Sequence, residues 1–315
     1  MCIEIEKEGI FSSIQGLGRY GSQRFGINPR GAMDRAAVRI INVLLGNPQN
    51  LTALELHFPA GVVRFTERCL FTLGGANFSA ELDEHPIENW RIYAAGSAQS
   101  LRFKKRTKGN RCYLAVKGGL TSLPADHELQ LVDLTTNRLQ KGDRLFRKLN
   151  ETLLDVQLGG QRVSSSIVPP YSPFPAVRFL PGGEFERLGE SNKRLLSESS
   201  FDVSADSNRM GFRLRGPALT LAEPVELVSA AVNFGTMQLL PDGQMVVLMA
   251  DHQTAGGYPR IGNIISADLP LLGQLGAGDK VAFTPTSIDD AERAALAWEA
   301  DLCKLKIGVR FGRYW

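Results

Sequence analysis

The chain has 315 residues, 43% hydrophobic and 22% charged, with a net charge of +3. A single hydrophobic core stops growing below this length, so two compact lobes are expected. The 36 basic residues are interspersed with 33 acidic ones, a balance that excludes a dedicated nucleic-acid surface. The local basic cluster RFKKRTK at 102–108 reads as a solvated turn between strands.

Cys2, Cys69, Cys112 and Cys303 form no CxxC pair, which predicts reduced thiols. The N-terminal MCIEIEKEG is charged from residue 4 onward and has no apolar signal-like run. No stretch approaches the roughly 20 apolar residues that cross a bilayer. A cytoplasmic location is expected.

The first unusual stretch is GLGRYGSQRFGINPRGAMD, residues 16–34. Its glycines let backbone approach a ligand closely, and Arg19 and Arg30 offer bidentate grips for carboxylate or phosphate. A helix is predicted over 32–45, where Met33, Ala36, Ala37, Ile40, Ile41 and Leu44 recur at helical spacing. Gly46, Asn47 and Pro48 stop it. Asp34 then falls in the first turn, where the helix dipole favours a carboxylate. The stretch lacks the GK[ST] ending and preceding strand of a phosphate-binding loop. A plain glycine-rich loop with Asp34 as a helix-end charge is the alternative.

Short strands follow at 52–58, 62–65, 70–73, 101–103 and 111–116, and another lies at 246–248. Gly, Pro, Asn and Asp punctuate them. This pattern predicts a mostly β barrel or sandwich architecture. Residues 159–176, GGQRVSSSIVPPYSPFPA, are too rich in Pro for regular structure. They divide the chain into an N-terminal lobe at 1–158, a linker at 159–176 and a C-terminal lobe at 177–315, with a long loop inside one lobe as the alternative. A weak echo between LQKGDRLF (139–146) and LGAGDKVAF (275–283) is consistent with two related lobes.

In the second lobe, SNRMGFRL (207–214) can place Arg209 near an anion, though a solvated arginine followed by a turn is the more ordinary reading. The apolar strand at 245–249 delivers DHQTAGGYP (251–259) onto a Gly-Gly loop. There Asp251 or His252 can act as a general base. Gln253 and Thr254 can orient a polar substrate, and Gly256 and Gly257 can offer N–H groups to an oxyanion. The alternative is a hydrogen-bonded turn with His252 at the surface. A last helix is predicted at 288–305, capped by Ser287, with Asp289 and Asp290 in its first turn. Ala291, Ala294, Ala295, Trp298 and Leu302 should face the core. His57, His85, His127 and His252 show no ligand spacing, so no metal site is expected. No nucleophile elbow occurs, and no Met-Lys-Met marks a biotinylated lysine, so no covalent biotin is expected.

Taken together, the chain resembles the biotin-dependent carboxyltransferase-like family. That family includes the C subunit of prokaryotic 5-oxoprolinase, Kip-type antagonists of kinase inhibitors, and one half of the carboxyltransferase domain of urea carboxylase. The matching motifs run in family order: residues 16–34, LLGN (44–47), RCYLAVKGG (111–119), NRMGFRL (208–214), PDGQ (241–244), DHQTAGGYP and AGDKVAF (277–283). The resemblance implies two cyclophilin-like β-barrel lobes with few helices. It implies one member of an ATP-dependent lactam hydrolase complex that opens 5-oxo-L-proline to L-glutamate. The partners it implies are a Kip-inhibitor-like protein (the B type) and a LamB/YcsF-type protein (the A type). Asp34, Asp251, Gln253 and Thr254 are the expected catalytic residues. Arg19, Arg30, Arg209, Gly256, Gly257 and Tyr258 are the expected substrate-binding ones. A non-catalytic regulatory role, or carboxyl transfer from carboxybiotin to a urea-like acceptor, is the alternative. The chain departs from the family at three places. The Gly-Ser-Arg-Ser-Thr segment after Gly119 is missing, Ala255 replaces the usual Thr, and Asn208 replaces the usual Asp.

Overall fold

A computed structural model describes residues 2–122, 138–149, 160–223, 225 and 227–311. The place of the missing Gly-Ser-Arg-Ser-Thr segment lies mostly outside the described residues. Among those described, the chain divides into two compact units. One lies within Met1–Leu17, Arg35–Pro169 and Glu299–Trp315; the other lies within Gly18–Asp34 and Pro170–Trp298.

This division corrects the predicted boundaries. The Gly/Arg-rich loop Gly18–Asp34 belongs to the second unit, because Met33 contributes its side chain to that unit's core. The C-terminal helix changes unit at Glu299. Residues 160–163 are not a free linker, since their backbone continues a sheet of the first unit. Gly160 N–H donates to the Ile92 carbonyl at 3.0 Å, and Ile92 N–H donates to that of Gln161 at 2.8 Å. A bridge joins Arg91 to Arg162.

The first unit holds a seven-stranded and a five-stranded sheet. Ile3–Lys7, Val62–Phe65 and Ser100–Phe103 are central to the larger. Ser12–Gln15, Ala53–His57, Lys108–Val116, Cys69–Asn77 and Ile92–Ala95 form the smaller, in that order. The two-residue alternation of strands sends Ile3, Ile5, Val63 and Leu101 from one sheet, and Leu54, Leu56, Leu73 and Leu114 from the other, into one core. Helix α1 (Arg35–Leu44) begins one residue after Asp34, not at Ala32. Residues 104–107 of the basic cluster are the exposed connection between two strands, and its ends lie within them.

The second unit is a closed seven-stranded barrel. Its order is Ala176–Pro181, Arg260–Ile264, Thr236–Leu239, Met245–Leu248, Gly211–Arg215, Ser200–Val203 and Lys280–Pro285. A parallel pairing of the first and last strands closes it. Alternate residues point inward: Val177, Phe179, Phe201, Phe212, Met237, Leu239, Val247, Ile261 and Phe283 all lie in its core. Each such large side chain contributes roughly 1.5–3 kcal/mol by leaving water.

Helices α2 (Gly189–Glu198) and α3 (Leu269–Gly273) were not legible in the sequence. The first buries only Leu196, and the second is barely one turn long. Helix α4 runs Ile288–Arg310, longer than predicted. Ser287 caps it, its Oγ accepting the Asp290 N–H at 3.1 Å. Its predicted core face is only half-buried at Ala291, Ala294, Ala295 and Trp298, while Leu302, Leu305 and Gly308 are buried. The apolar stripe is narrow where it consists of alanine and deepens where leucine replaces it. No helix among the described residues is long and apolar enough to cross a membrane.

Candidate functional site

All the sequence-predicted site residues fall in the second unit. The loop Gly18–Asp34 is folded back on itself by a hydrogen bond from Arg19 N–H to the Pro29 carbonyl at 2.7 Å. Positive φ at Gly18, Gly21, Gly26 and Gly31 gives it these turns. Arg19 is exposed and Arg30 half-buried.

The loop ends in a buried carboxylate. Asp34 is fully buried, and its Oδ2 accepts the Tyr171 hydroxyl at 2.6 Å and the Gln274 Nε2 at 2.9 Å. Tyr171 and Gln274 are themselves buried. Gly273 permits the approach: a Cβ there would stand 2.3 Å from the Met33 carbonyl oxygen. Sequence reasoning missed both donors. The only signal for Tyr171 was an aromatic inside a proline-rich run, which it shares with Phe174.

A second cluster ties the same loop to the barrel. Arg209 donates from Nε to Asp251 Oδ2 at 2.8 Å and from Nη2 to Oδ1 at 3.0 Å. Its Nη2 also reaches the Gly31 carbonyl at 2.6 Å. Asn28 Nδ2 donates to the Asp251 carbonyl at 3.0 Å, and Asp251 N–H donates to that of Arg209 at 2.8 Å. The sequence reading gave Asp251 and Arg209 separate roles as base and anion grip. In the structure they face each other as a charge-assisted, bidentate pair, a geometry suited to positioning. Asn208, at the departure from the family, accepts the Met210 N–H on its Oδ1 at 2.8 Å and so still shapes the turn before the strand that follows Arg209.

From Asp251 the chain enters the polar loop. His252 is buried, not at the surface, and its Nδ1 lies 2.5 Å from the Gln253 carbonyl oxygen. Gln253 and Thr254 are half-buried, Gly257 is exposed, and Tyr258 is 46% exposed. Ala255–Gly256 pairs with Ala230–Ala231 as a small antiparallel ribbon. Glu184, which the sequence gave no reason to select, clamps the loop's far end. Its Oε2 accepts the Arg260 N–H at 2.7 Å, and its Oε1 accepts Arg260 Nη2 at 3.0 Å. Burial raises the Glu184 pKa, but the hydrogen bonds and charge of Arg260 outweigh it and hold the carboxyl below its ordinary value. No group of three metal-ligating side chains occurs among the described residues.

Loop, clamp and polar hairpin thus form one connected arrangement on the barrel. Residues 25–285 match the family model described as carboxyltransferase domain, subdomain A and B. The chain belongs to this carboxyltransferase-domain family. Within it, the chain is 34% identical over 288 residues to the C subunit of 5-oxoprolinase from Haemophilus influenzae, covering 90% of both chains. It is 34% identical over 305 residues to the Escherichia coli protein of the same name, covering 93% of this chain and 94% of that one. Among solved structures, the K. lactis urea amidolyase superposes with a TM-score of 0.86 at 23% identity. That match covers 96% of this chain and 20% of the amidolyase, and it establishes the shared carboxyltransferase-domain fold.

Proposed function

We propose that the chain is the C-type component of a heteromeric, ATP-dependent 5-oxoprolinase that opens 5-oxo-L-proline to L-glutamate. The observation that carries this reading is the 34% identity to the C subunit of a 5-oxoprolinase over 90% of both chains. Opening the lactam requires water to add to the ring carbonyl, the C–N bond to break, and a proton to reach the departing nitrogen. The hairpin bearing Gln253, Thr254, Gly256 and Gly257 suits recognition of that carbonyl, whose oxygen gains negative charge as water adds. Arg19 and Arg30 suit the substrate's carboxylate. Asp34, with Tyr171 and Gln274, and Asp251, with Arg209, hold the two loops in register. A misplacement of about 1 Å in such a frame can slow chemistry on the order of a hundredfold. ATP would supply carbonyl activation. The loop before α1 lacks the Gly-Lys-Ser/Thr ending of a phosphate cradle, so nucleotide handling is assigned to a partner.

Partners are part of the reading: a Kip-inhibitor-like protein and a LamB/YcsF-type protein. Tyr20, Phe25 and Ile27 on the first loop, with Met210 and Tyr258 on the others, are 46–69% exposed. Large apolar side chains left in water around polar loops suit coverage by another protein.

The test is glutamate release from 5-oxoproline and ATP by the three co-purified proteins. Release should vanish when this chain is omitted and fall at least tenfold with Asp34→Ala or Asp251→Ala. A complex that assembles without turnover would support a regulatory role instead. Unchanged turnover in both variants would remove these residues from the site.

A further inference from the structure

Strand Thr236–Leu239 carries a polar side chain that the site as described does not use. Met237 and Leu239 point into the barrel core, so Gln238 between them leaves the barrel on its outer face. There it is 1% exposed, beneath the Ala255–Gly256 ribbon. Its Nε2 is buried with no hydrogen-bond partner among the described residues. Such a donor is costly to bury and is seldom left without a partner.

What surrounds it is specific. A Cβ placed on Gly256 would stand 2.6 Å from Gln238 Nε2 and 3.5 Å from Gln253 Nε2. The bare face of Gly256 is therefore flanked by two carboxamide nitrogens, both hydrogen-bond donors. One of them belongs to a residue already placed in the hairpin. An acceptor oxygen entering from the Gly256 side would meet both.

We propose that Gln238 is a substrate-binding residue, its carboxamide donating to the carbonyl oxygen of a small lactam or urea-like molecule held against Gly256 together with Gln253. The inference rests on the 5-oxoprolinase reading only for which such molecule is bound. Glycine at 256 lets the Gln238 carboxamide lie against the hairpin backbone, where a side chain would displace it, and the buried donor makes the site discriminate against molecules without a carbonyl oxygen.

The experiment compares the full chain with Gln238→Met, which keeps the length of the side chain and removes the donor. Binding of 5-oxo-L-proline, urea and L-proline is followed by ligand-observed NMR, alongside thermal unfolding. L-Proline, lacking the ring carbonyl, is the control. The expected result is binding of 5-oxoproline weakened roughly tenfold, with the unfolding midpoint unchanged or raised, because an unsatisfied donor has been removed. Gly256→Ala, whose new methyl meets only the flexible end of Gln238 at this close range, should weaken binding in a chain that still folds. If Gln238→Met unfolds several degrees lower, the side chain serves the fold and the inference fails. It fails too if wild-type and variant bind alike, if L-proline binds as well as 5-oxoproline, or if the wild type binds none of the three. Binding of urea alone, dependent on Gln238, would uphold the inference and overturn the oxoprolinase reading.

Discussion

Two strands, one in each unit, carry a polar residue in the same setting with opposite outcomes. In Ala53–His57, Glu55 lies between Leu54 and Leu56, both in the first unit's core. In Thr236–Leu239, Gln238 lies between Met237 and Leu239, both in the second's. Each strand is followed by a turn containing Pro and Gly. Glu55 is fully buried and engaged: Oε2 accepts the Tyr113 hydroxyl at 2.8 Å, and Oε1 lies 3.1 Å from His57 Nε2. Gln238 is as buried, and its Nε2 is left without a partner among the described residues. A buried polar group with its bonds made is part of the architecture. One without them is left to an ordered water or a ligand to satisfy.

The contrast can be broken experimentally, beginning with the largest effect. Glu55→Leu deprives Tyr113 and His57 of their acceptor and should destabilise the protein by roughly 3 kcal/mol, read by denaturant unfolding. A loss below about 0.5 kcal/mol would mean that the engaged carboxylate is dispensable, and the contrast would collapse. Asp34→Asn tests whether an engaged group in the second unit behaves like Glu55. It weakens the bonds from Tyr171 and Gln274, and about 2 kcal/mol should be lost.

A smaller effect is set by pH. The Glu184 carboxyl lies below its ordinary value, so its contribution is present above the unfolded-state pKa and disappears as pH falls through the folded one. Near neutral pH, Glu184→Gln should cost about 1 kcal/mol. The difference from wild type should shrink steadily in melts taken below the ordinary carboxylate range, and a difference that grows there would refute the assignment. Smallest of all is Gln238→Met, for which unfolding should shift by less than about 0.5 kcal/mol while ligand binding suffers. Thiol labelling gives an independent check of the described cores. Cys303 is exposed, whereas Cys2, Cys69 and Cys112 are buried, and burial pushes the Cys112 thiol up. Only Cys303 should react quickly in the native protein.

Much of this was legible in the chain itself. Turn residues on either side and β-branched or aromatic content marked the strands at 62–65, 111–116 and 246–248, because both are local signals. Helix α1 and the Ser287 cap of α4 announced themselves by spacing and capping chemistry. The motifs at 16–34, 208–214 and 251–259 named the loops on which a site would stand, since glycine, arginine and polar clusters are local signals.

The tertiary structure decided which of those loops belong together. Nothing in sequence order says that Gly18–Asp34 packs with the second unit, or that Arg209 meets Asp251, 42 positions further along the chain. Tyr171, Gln274 and Glu184 joined the site only because barrel closure brought them to Asp34 and Arg260. The same limit applies to Gln238, whose letter in the sequence gives no hint that its donor is left over. Local chemistry is written residue by residue, whereas satisfaction of a buried polar group depends on partners that only the folded chain supplies.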